Sequence, residues 1–330
     1  MGGQEIEDRL TLYGKSFTSR LLLGTARYDS PSLLADAICA ADPAMLTVSL
    51  RRQLSGSSDS GQSFWNLLRE THRVILPNTA GCLSADEAIK TARRARELFQ
   101  TDLIKLEVIG DEVNLQPDPF GLVEAASKLV KLGFQILPYC TEDWVLCSRL
   151  MDAGCEVLMP WAAPIGTGQG PRNPRGLREL RERAPQIPLI VDAGIGLPSH
   201  ACQVMEWGFD GVLLNTAVSR ALDPVQMANA FAKAVKGGRS AFLAGPMVVQ
   251  EAAVSSTPEL GRPFASNLSP SEGPLGVRAS IAPTPLPALE PTQPRENRFR
   301  NWTFGVDSTV QLFSTPNCWP LCLESFRCDG

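Results

Sequence analysis

One strand-like run of this chain carries two charges where a folded interior expects apolar residues. It reads Leu103-Ile104-Lys105-Leu106-Glu107-Val108. Side chains alternate along a strand, so Leu103, Lys105 and Glu107 share one face and Ile104, Leu106 and Val108 the other. The wholly apolar face predicts contact with covering helices, which turns Lys105 and Glu107 toward the interior. Desolvating charge there is costly. Two arrangements answer that cost. One is a Lys–Glu ion pair that only fills space. The other is a lysine of lowered pKa that acts as an amine nucleophile beside a proton-transferring carboxylate. A second carboxylate, Asp192, ends the run Ile190-Val191-Asp192-Ala193-Gly194-Ile195-Gly196. That position suits an acid or base facing the same cavity, and equally a cap for the next helix.

Small residues cluster around these groups. Pro164-Ile165-Gly166-Thr167-Gly168-Gln169-Gly170 lacks the Lys-Ser/Thr of a nucleotide-binding P-loop, and reads as a glycine loop closing over a small phosphorylated ligand. Leu214-Asn215-Thr216-Ala217 precedes a helix, a place where backbone amides hold phosphate in barrel folds. Cys140, Cys147 and Cys155 lack CxxC spacing and read as buried small hydrophobes. Cys82, after Asn78-Thr79-Ala80-Gly81, has nothing beside it in sequence to activate a thiol. His200 falls in the first turn of a helix and His72 at the end of one, as local hydrogen-bonding or surface residues.

These groups need a scaffold that brings distant strand ends together. Short apolar runs recur at 21–24, 45–50, 74–77, 103–108, 135–138, 156–160, 189–192 and 211–215. Helical patterns alternate with them at 32–41, 64–72, 84–99, 120–132, 142–153, 174–184, 199–207 and 224–235, with Ser84 and Glu87 set as a capping box. Eight such units predict a single α/β domain, a (β/α)8 TIM barrel over residues 1–264, with catalytic groups at the carboxyl ends of the strands. A doubly wound sheet is the alternative, but Gly24-Thr25-Ala26 is not a dinucleotide-binding turn. From residue 265 to 330 the sequence turns Pro- and Ser-rich, without apolar periodicity, and predicts a disordered C-terminal extension. Cys318, Cys322 and Cys328 fall there without a histidine, a poor zinc signature.

Composition narrows the chemistry further. The 330 residues carry 31 Lys+Arg against 35 Asp+Glu, a net charge of −4, with no basic block to predict nucleic-acid binding. Apolar runs fall short of the ~20 residues of a membrane span, and Glu5, Glu7, Asp8 and Arg9 stand where a signal peptide would be apolar. The expectation is a cytoplasmic protein with reduced thiols and no membrane or nucleic-acid partner. Only two histidines among 330 residues leave little for a histidine metal site or a Ser/His/Asp triad, so lysine and carboxylates carry the candidate chemistry.

Seven segments taken together resemble bacterial thiazole synthase of thiamin biosynthesis: 17–28 (FTSRLLLGTARY), 76–82 (LPNTAGC), 104–111 (IKLEVIGD), 137–140 (LPYC), 163–170 (APIGTGQG), 191–199 (VDAGIGLPS) and 213–217 (LLNTA). The resemblance spans residues 10–264 and touches nearly every strand in order. It departs at Ala26, where glycine is usual, and at Trp161-Ala162, where Leu-Gly is common and the bulkier pair could crowd the phosphate loop. The stretch after Gly245 follows the usual basic ending only loosely.

The resemblance implies a transferase-type enzyme that joins 1-deoxy-D-xylulose 5-phosphate, dehydroglycine (iminoacetate) and sulfur into a thiazole phosphate. The sulfur would come from a sulfur-carrier protein bearing a C-terminal thiocarboxylate. It assigns Lys105 the imine with the sugar ketone, Glu107 and Asp192 the acid–base work, and Gly166, Ala193, Gly194, Asn215 and Thr216 the sugar phosphate. No metal and no organic cofactor are implied, and a homo-oligomer is. Two other functions use the same residues differently: a class I aldolase-type lyase with a barrel imine but no protein sulfur donor, and a catalytically silent barrel that binds the carrier as a scaffold.

Overall fold

The computed structural model describes residues 8–50, 58–254 and 256. The expected barrel lies in these residues; the Pro/Ser-rich stretch 265–330 and its three cysteines lie outside them.

Eight parallel strands form the central sheet: β3 (Leu21–Gly24), β4 (Met45–Ser49), β5 (Val74–Asn78), β6 (Leu103–Leu106), β9 (Gln135–Cys140), β10 (Met159–Pro160), β11 (Ile190–Val191) and β12 (Gly211–Leu214). The sheet runs β10-β9-β6-β5-β4-β3-β12-β11. Its two ends meet through parallel bridges Leu158↔Leu189 and Trp161↔Asp192, with Ile190 N donating to Leu158 O at 3.0 Å and Asp192 N to Pro160 O at 2.8 Å. The sheet therefore closes as a barrel, which removes its edges.

Helices cover the outside: α1 (Pro31–Ala41), α2 (Ser58–Glu70), α3 (Ala85–Phe99), α4 (Pro119–Lys131), α5 (Trp144–Asp152), α6 (Pro174–Arg183), α7 (Pro198–Glu206), the single turn α8 (Thr216–Ser219) and α9 (Pro224–Ala244). Their starts follow local chemistry. Ser30, Ser84, Asp118, Asp143, Asn173 and Asp223 each accept a hydrogen bond from an amide of the first turn. The expected Ser84/Glu87 box forms in shifted shape: Ser84 Oγ accepts from Glu87 N, while Glu87 Oε2 accepts from Leu83 N at 2.9 Å. Two helix boundaries differ most from expectation. The second helix begins at Ser58 rather than Phe64, and the last extends to Ala244 rather than Val235.

Two small hairpins were not expected. β1 (Leu10–Leu12) pairs with β2 (Lys15–Phe17), and β7 (Ile109–Asp111) with β8 (Gln116–Pro117). The first plugs the amino-terminal end of the barrel. Leu10 and Leu12 pack with Leu22, Met45, Leu76, Leu103, Leu137, Met159, Ile190 and Leu213, one interior residue from each strand. Tyr13 donates its hydroxyl to Ile136 O at 2.6 Å across the same end. The other strand face, including Leu23, Leu46, Ile104, Leu106, Ile136, Val191 and Val212, joins the larger cluster shared with the helices. The alternation read from 103–108 is thus correct: Leu103 points in, and Ile104, Leu106 and Val108 point out to the helices.

Candidate active site

On six of the eight strands a two-residue step leads from the apolar interior layer to the cavity at the carboxyl end of the barrel. Leu22 gives way to Gly24, Met45 to Thr47, Leu76 to Asn78, Leu103 to Lys105, Ile190 to Asp192 and Leu213 to Asn215. These second residues line a cavity of about 980 Å³. All eight sequence-predicted positions reach it: Lys105, Glu107, Asp192, Gly166, Ala193, Gly194, Asn215 and Thr216.

Lys105 is the centre of its floor. Its Nζ lies 2.5 Å from Asp192 Oδ2 and 3.4 Å from Glu107 Oε1, and all three side chains are at least nine-tenths buried. The ring of Tyr139 stands 5.7 Å from the same nitrogen. Asp192 Oδ1 accepts from Ala193 N at 2.7 Å, so this carboxylate grips both the lysine and the loop that follows it. Of the two readings of Asp192, the cavity-facing one matches this geometry; the cap position of α7 belongs to Leu197.

The electrostatics correct one expectation. Burial pulls the Lys105 ammonium down, as the isolated strand suggested, but Asp192 and then Glu107 outweigh it by charge and hydrogen bonding. The lysine pKa is held above its ordinary value, so the resting amine is protonated. Burial pushes the Glu107 carboxyl up; Lys105 offsets only part of this, and Asp192 adds to it. The site therefore holds its protons on Lys105, and burial makes Glu107 a readier proton acceptor than an exposed carboxylate.

The loops above the floor expose backbone. Ala193 and Gly194 both take left-handed conformations, with φ of 55° and 71°. A side chain at Gly194 would collide with the Cβ and backbone of Ala163, and one at Gly196 with the carbonyl of Gly168, so the two loops approach closely only because both positions are glycine. Gly170 N donates to Gly194 O at 2.8 Å. Asn215 packs on Gly24, where a Cβ would lie 2.5 Å from its own Cβ, and its buried Oδ1 has no hydrogen-bond partner among the described residues. Arg27 and Arg220 also line the cavity, on the exposed side.

His200 takes the local role expected of it: Nδ1 accepts from Gly196 N and Leu197 N, each at 3.3 Å, and the ring lies under Gly170. Burial holds its pKa down, which keeps that acceptor available. Cys140, Cys147 and Cys155 are buried free thiols, as their spacing implied. The pair Trp161-Ala162 leaves the cavity clear. Trp161 is not on the cavity wall; its indole N–H donates to Glu142 Oε2 at 2.7 Å and its ring meets Tyr139 edge-on at 6.4 Å.

Sequence reasoning did not find Tyr139 or Thr79. Tyr139 sits two residues past the interior Leu137, so the period that located Lys105 would have located it. Thr79 is fully buried and bonds through its side chain to the main chain of Glu107.

Comparison with known proteins gives the chain a family. The sequence profile of the family described as "Thiazole biosynthesis protein ThiG" matches residues 11–258. The thiazole synthase of Ralstonia pickettii (strain 12J) is 63% identical over 259 residues, covering 78% of this chain and 94% of that protein. That of Paracidovorax citrulli (strain AAC00-1) is 64% identical over 258 residues, covering 78% and 96%. Among solved structures, the BexX/CysO complex of Amycolatopsis orientalis aligns with a TM-score of 0.67 and 32% identity, over 74% of this chain and 98% of that one. The chain belongs to the ThiG family of thiazole biosynthesis proteins, the bacterial thiazole synthases.

Proposed function

We propose that this thiazole synthase of thiamin biosynthesis works through an imine on Lys105. The observation that carries the proposal is a lysine held between two buried carboxylates on the floor of a cavity. Attack on a ketone needs the free amine. Asp192 Oδ2, 2.5 Å away, is placed to receive the ammonium proton. The amine then adds to the ketone of 1-deoxy-D-xylulose 5-phosphate, and the carbinolamine oxygen leaves as water after protonation.

The resulting iminium draws electrons from the neighbouring carbon. Glu107, whose carboxyl burial raises above the ordinary carboxylate range, removes the proton there and delivers it back along the chain. The carbonyl so moves one carbon away from the nitrogen. The sulfur of a thiocarboxylated carrier protein adds to it, the acyl group passes from sulfur to the former carbonyl oxygen, and the carrier leaves as its carboxylate. Dehydroglycine then closes the ring as its nitrogen displaces the Lys105 amine and water is lost from the sugar, giving the thiazole phosphate. The amides around Gly166, Ala193, Gly194 and Thr216, with Asn215, are suited to the sugar phosphate, and Arg27 and Arg220 favour anionic substrates at the mouth. A structural relative, BexX of Amycolatopsis orientalis, was solved in complex with a second protein, CysO, which supports a protein donor of sulfur here.

The test is borohydride trapping with 1-deoxy-D-xylulose 5-phosphate, followed by peptide mapping. An adduct on Lys105 is expected; its absence removes the imine from this protein's chemistry.

A further inference from the structure

The strand that carries the lysine stops being a strand at the other catalytic candidate. β6 ends at Leu106 and β7 begins only at Ile109, so Glu107 and Val108 lie outside the regular ladder. Backbone leaving a buried sheet must still satisfy its amide and carbonyl. At Glu107 a side chain does this. Thr79 Oγ1 accepts from Glu107 N at 2.7 Å and donates to Glu107 O at 2.7 Å. One hydroxyl thus stands in for the neighbouring strand, which only a group that both donates and accepts can do.

The surrounding bonds tie the same residue to the lysine. Thr79 N donates to Lys105 O at 3.1 Å, and Thr79 O accepts from Cys82 N at 3.1 Å. Thr79 itself is fully buried, immediately after Asn78, whose backbone registers with Lys105 in the ladder. Its β-branch restricts rotation about Cα–Cβ, which fixes where the hydroxyl points. We infer that Thr79 is a positioning residue: its hydroxyl locks the main chain at Glu107 and so aims the Glu107 carboxylate at the Lys105 nitrogen.

This rests on the reading of Glu107 as the proton-transferring group. Proton transfer is steep in distance and direction, so a small drift of an aimed carboxylate slows the step without weakening substrate binding. Glu107 Oε1, at 3.4 Å from Nζ, has little room to drift and remain useful.

Thr79→Val removes the hydroxyl at nearly constant volume, and Thr79→Ser restores it without the methyl. Turnover is normalised to the Lys105 sites that borohydride traps with the sugar phosphate, so that loss of folded protein cancels. The expected result for Thr79→Val is a fall of tenfold or more in kcat, with KM for the sugar within twofold and trapping retained. Thr79→Ser should recover most of the kcat. Unchanged kcat per trapped site in Thr79→Val overturns the inference, as does a loss that Thr79→Ser does not rescue. If Thr79→Val does not fold, Thr79→Ala decides by the same normalised kcat, a drop supporting and an unchanged value overturning it. Failure of the wild-type enzyme to trap any adduct is a different result: it strikes the imine itself.

Discussion

The two interior layers of this barrel are built by the same eight strands and obey opposite rules. In the lower layer Leu22, Met45, Leu76, Leu103, Leu137, Met159, Ile190 and Leu213 fill the interior and are sealed by Leu10 and Leu12 of the first hairpin. In the upper layer, two residues further along, glycine, threonine, asparagine, lysine and aspartate surround a cavity. Close packing needs no partner-specific geometry beyond shape. A cavity floor of charged groups does, because each buried charge must be matched. Stability and chemistry are thus divided along each strand by one alternation period, and the lower layer anchors the strand ends that the upper layer uses.

The sharpest way to break that division is to exchange the roles of Leu103 and Lys105. Lys105→Ala should abolish the trapped adduct completely. It also leaves Glu107 and Asp192 buried without their cation, so the folded state should suffer where both carboxylates are ionised. We expect a lower Tm at pH 8 that recovers toward pH 5 as one carboxylate takes up a proton. An equal Tm deficit at both pH values would mean that Lys105 contributes only packing. Leu103→Ala, two residues away and 1% exposed, should do the reverse. It should cost about 2–5 kcal/mol in chemical denaturation, from lost burial and the cavity left behind, with turnover per trapped site unchanged.

A smaller effect is expected where the upper layer uses only backbone. At Gly196 an added methyl would meet the Gly168 carbonyl, so Gly196→Ala should part the two loops above the floor. KM for the sugar phosphate should rise by about tenfold, equivalent to roughly 1.4 kcal/mol of lost binding, with kcat of saturated enzyme nearly kept. A fall in kcat alone would show that these loops shape the reacting centre and not the phosphate end.

Much of this division is legible in the sequence, and the reason is period. Alternation in 103–108 puts Lys105 and Glu107 inward because their neighbours are apolar enough to demand the other face. The strand-end position of Asp192 and the glycines at 166, 168, 170, 194 and 196 follow from order along the chain. What period does not convey is partnership across strands. The lysine's pKa runs opposite to the expectation because Asp192, distant in sequence, sits 2.5 Å from it. Thr79 is silent for the same reason: its hydroxyl matters only because Glu107 lies beside it, just past the end of the neighbouring strand. The hairpin 10–17 escapes because three-residue strands carry too little alternation to read.

The finest test compares how the two layers respond to pH. Glu107 has a folded pKa raised above its usual value, chiefly by burial. Its contribution to stability is fully present below the unfolded value of about 4.3 and is lost as pH rises through the folded one. Glu107→Gln keeps the shape and removes that ionisation. The variant should therefore match or trail wild type at pH 4 and overtake it at pH 8, by a few tenths to about 1 kcal/mol in urea denaturation. The sign follows from the balance at the site: the attraction of Lys105 is real but is already largely engaged by Asp192 at 2.5 Å, and Glu107 at 3.4 Å receives the weaker share. Leu103→Ala, which titrates nothing, should carry the same stability deficit at both pH values. If Glu107→Gln instead loses stability at pH 8, Lys105 holds Glu107 more strongly than burial repels its charge. The carboxylate would then be a structural counter-ion whose proton is not free to move.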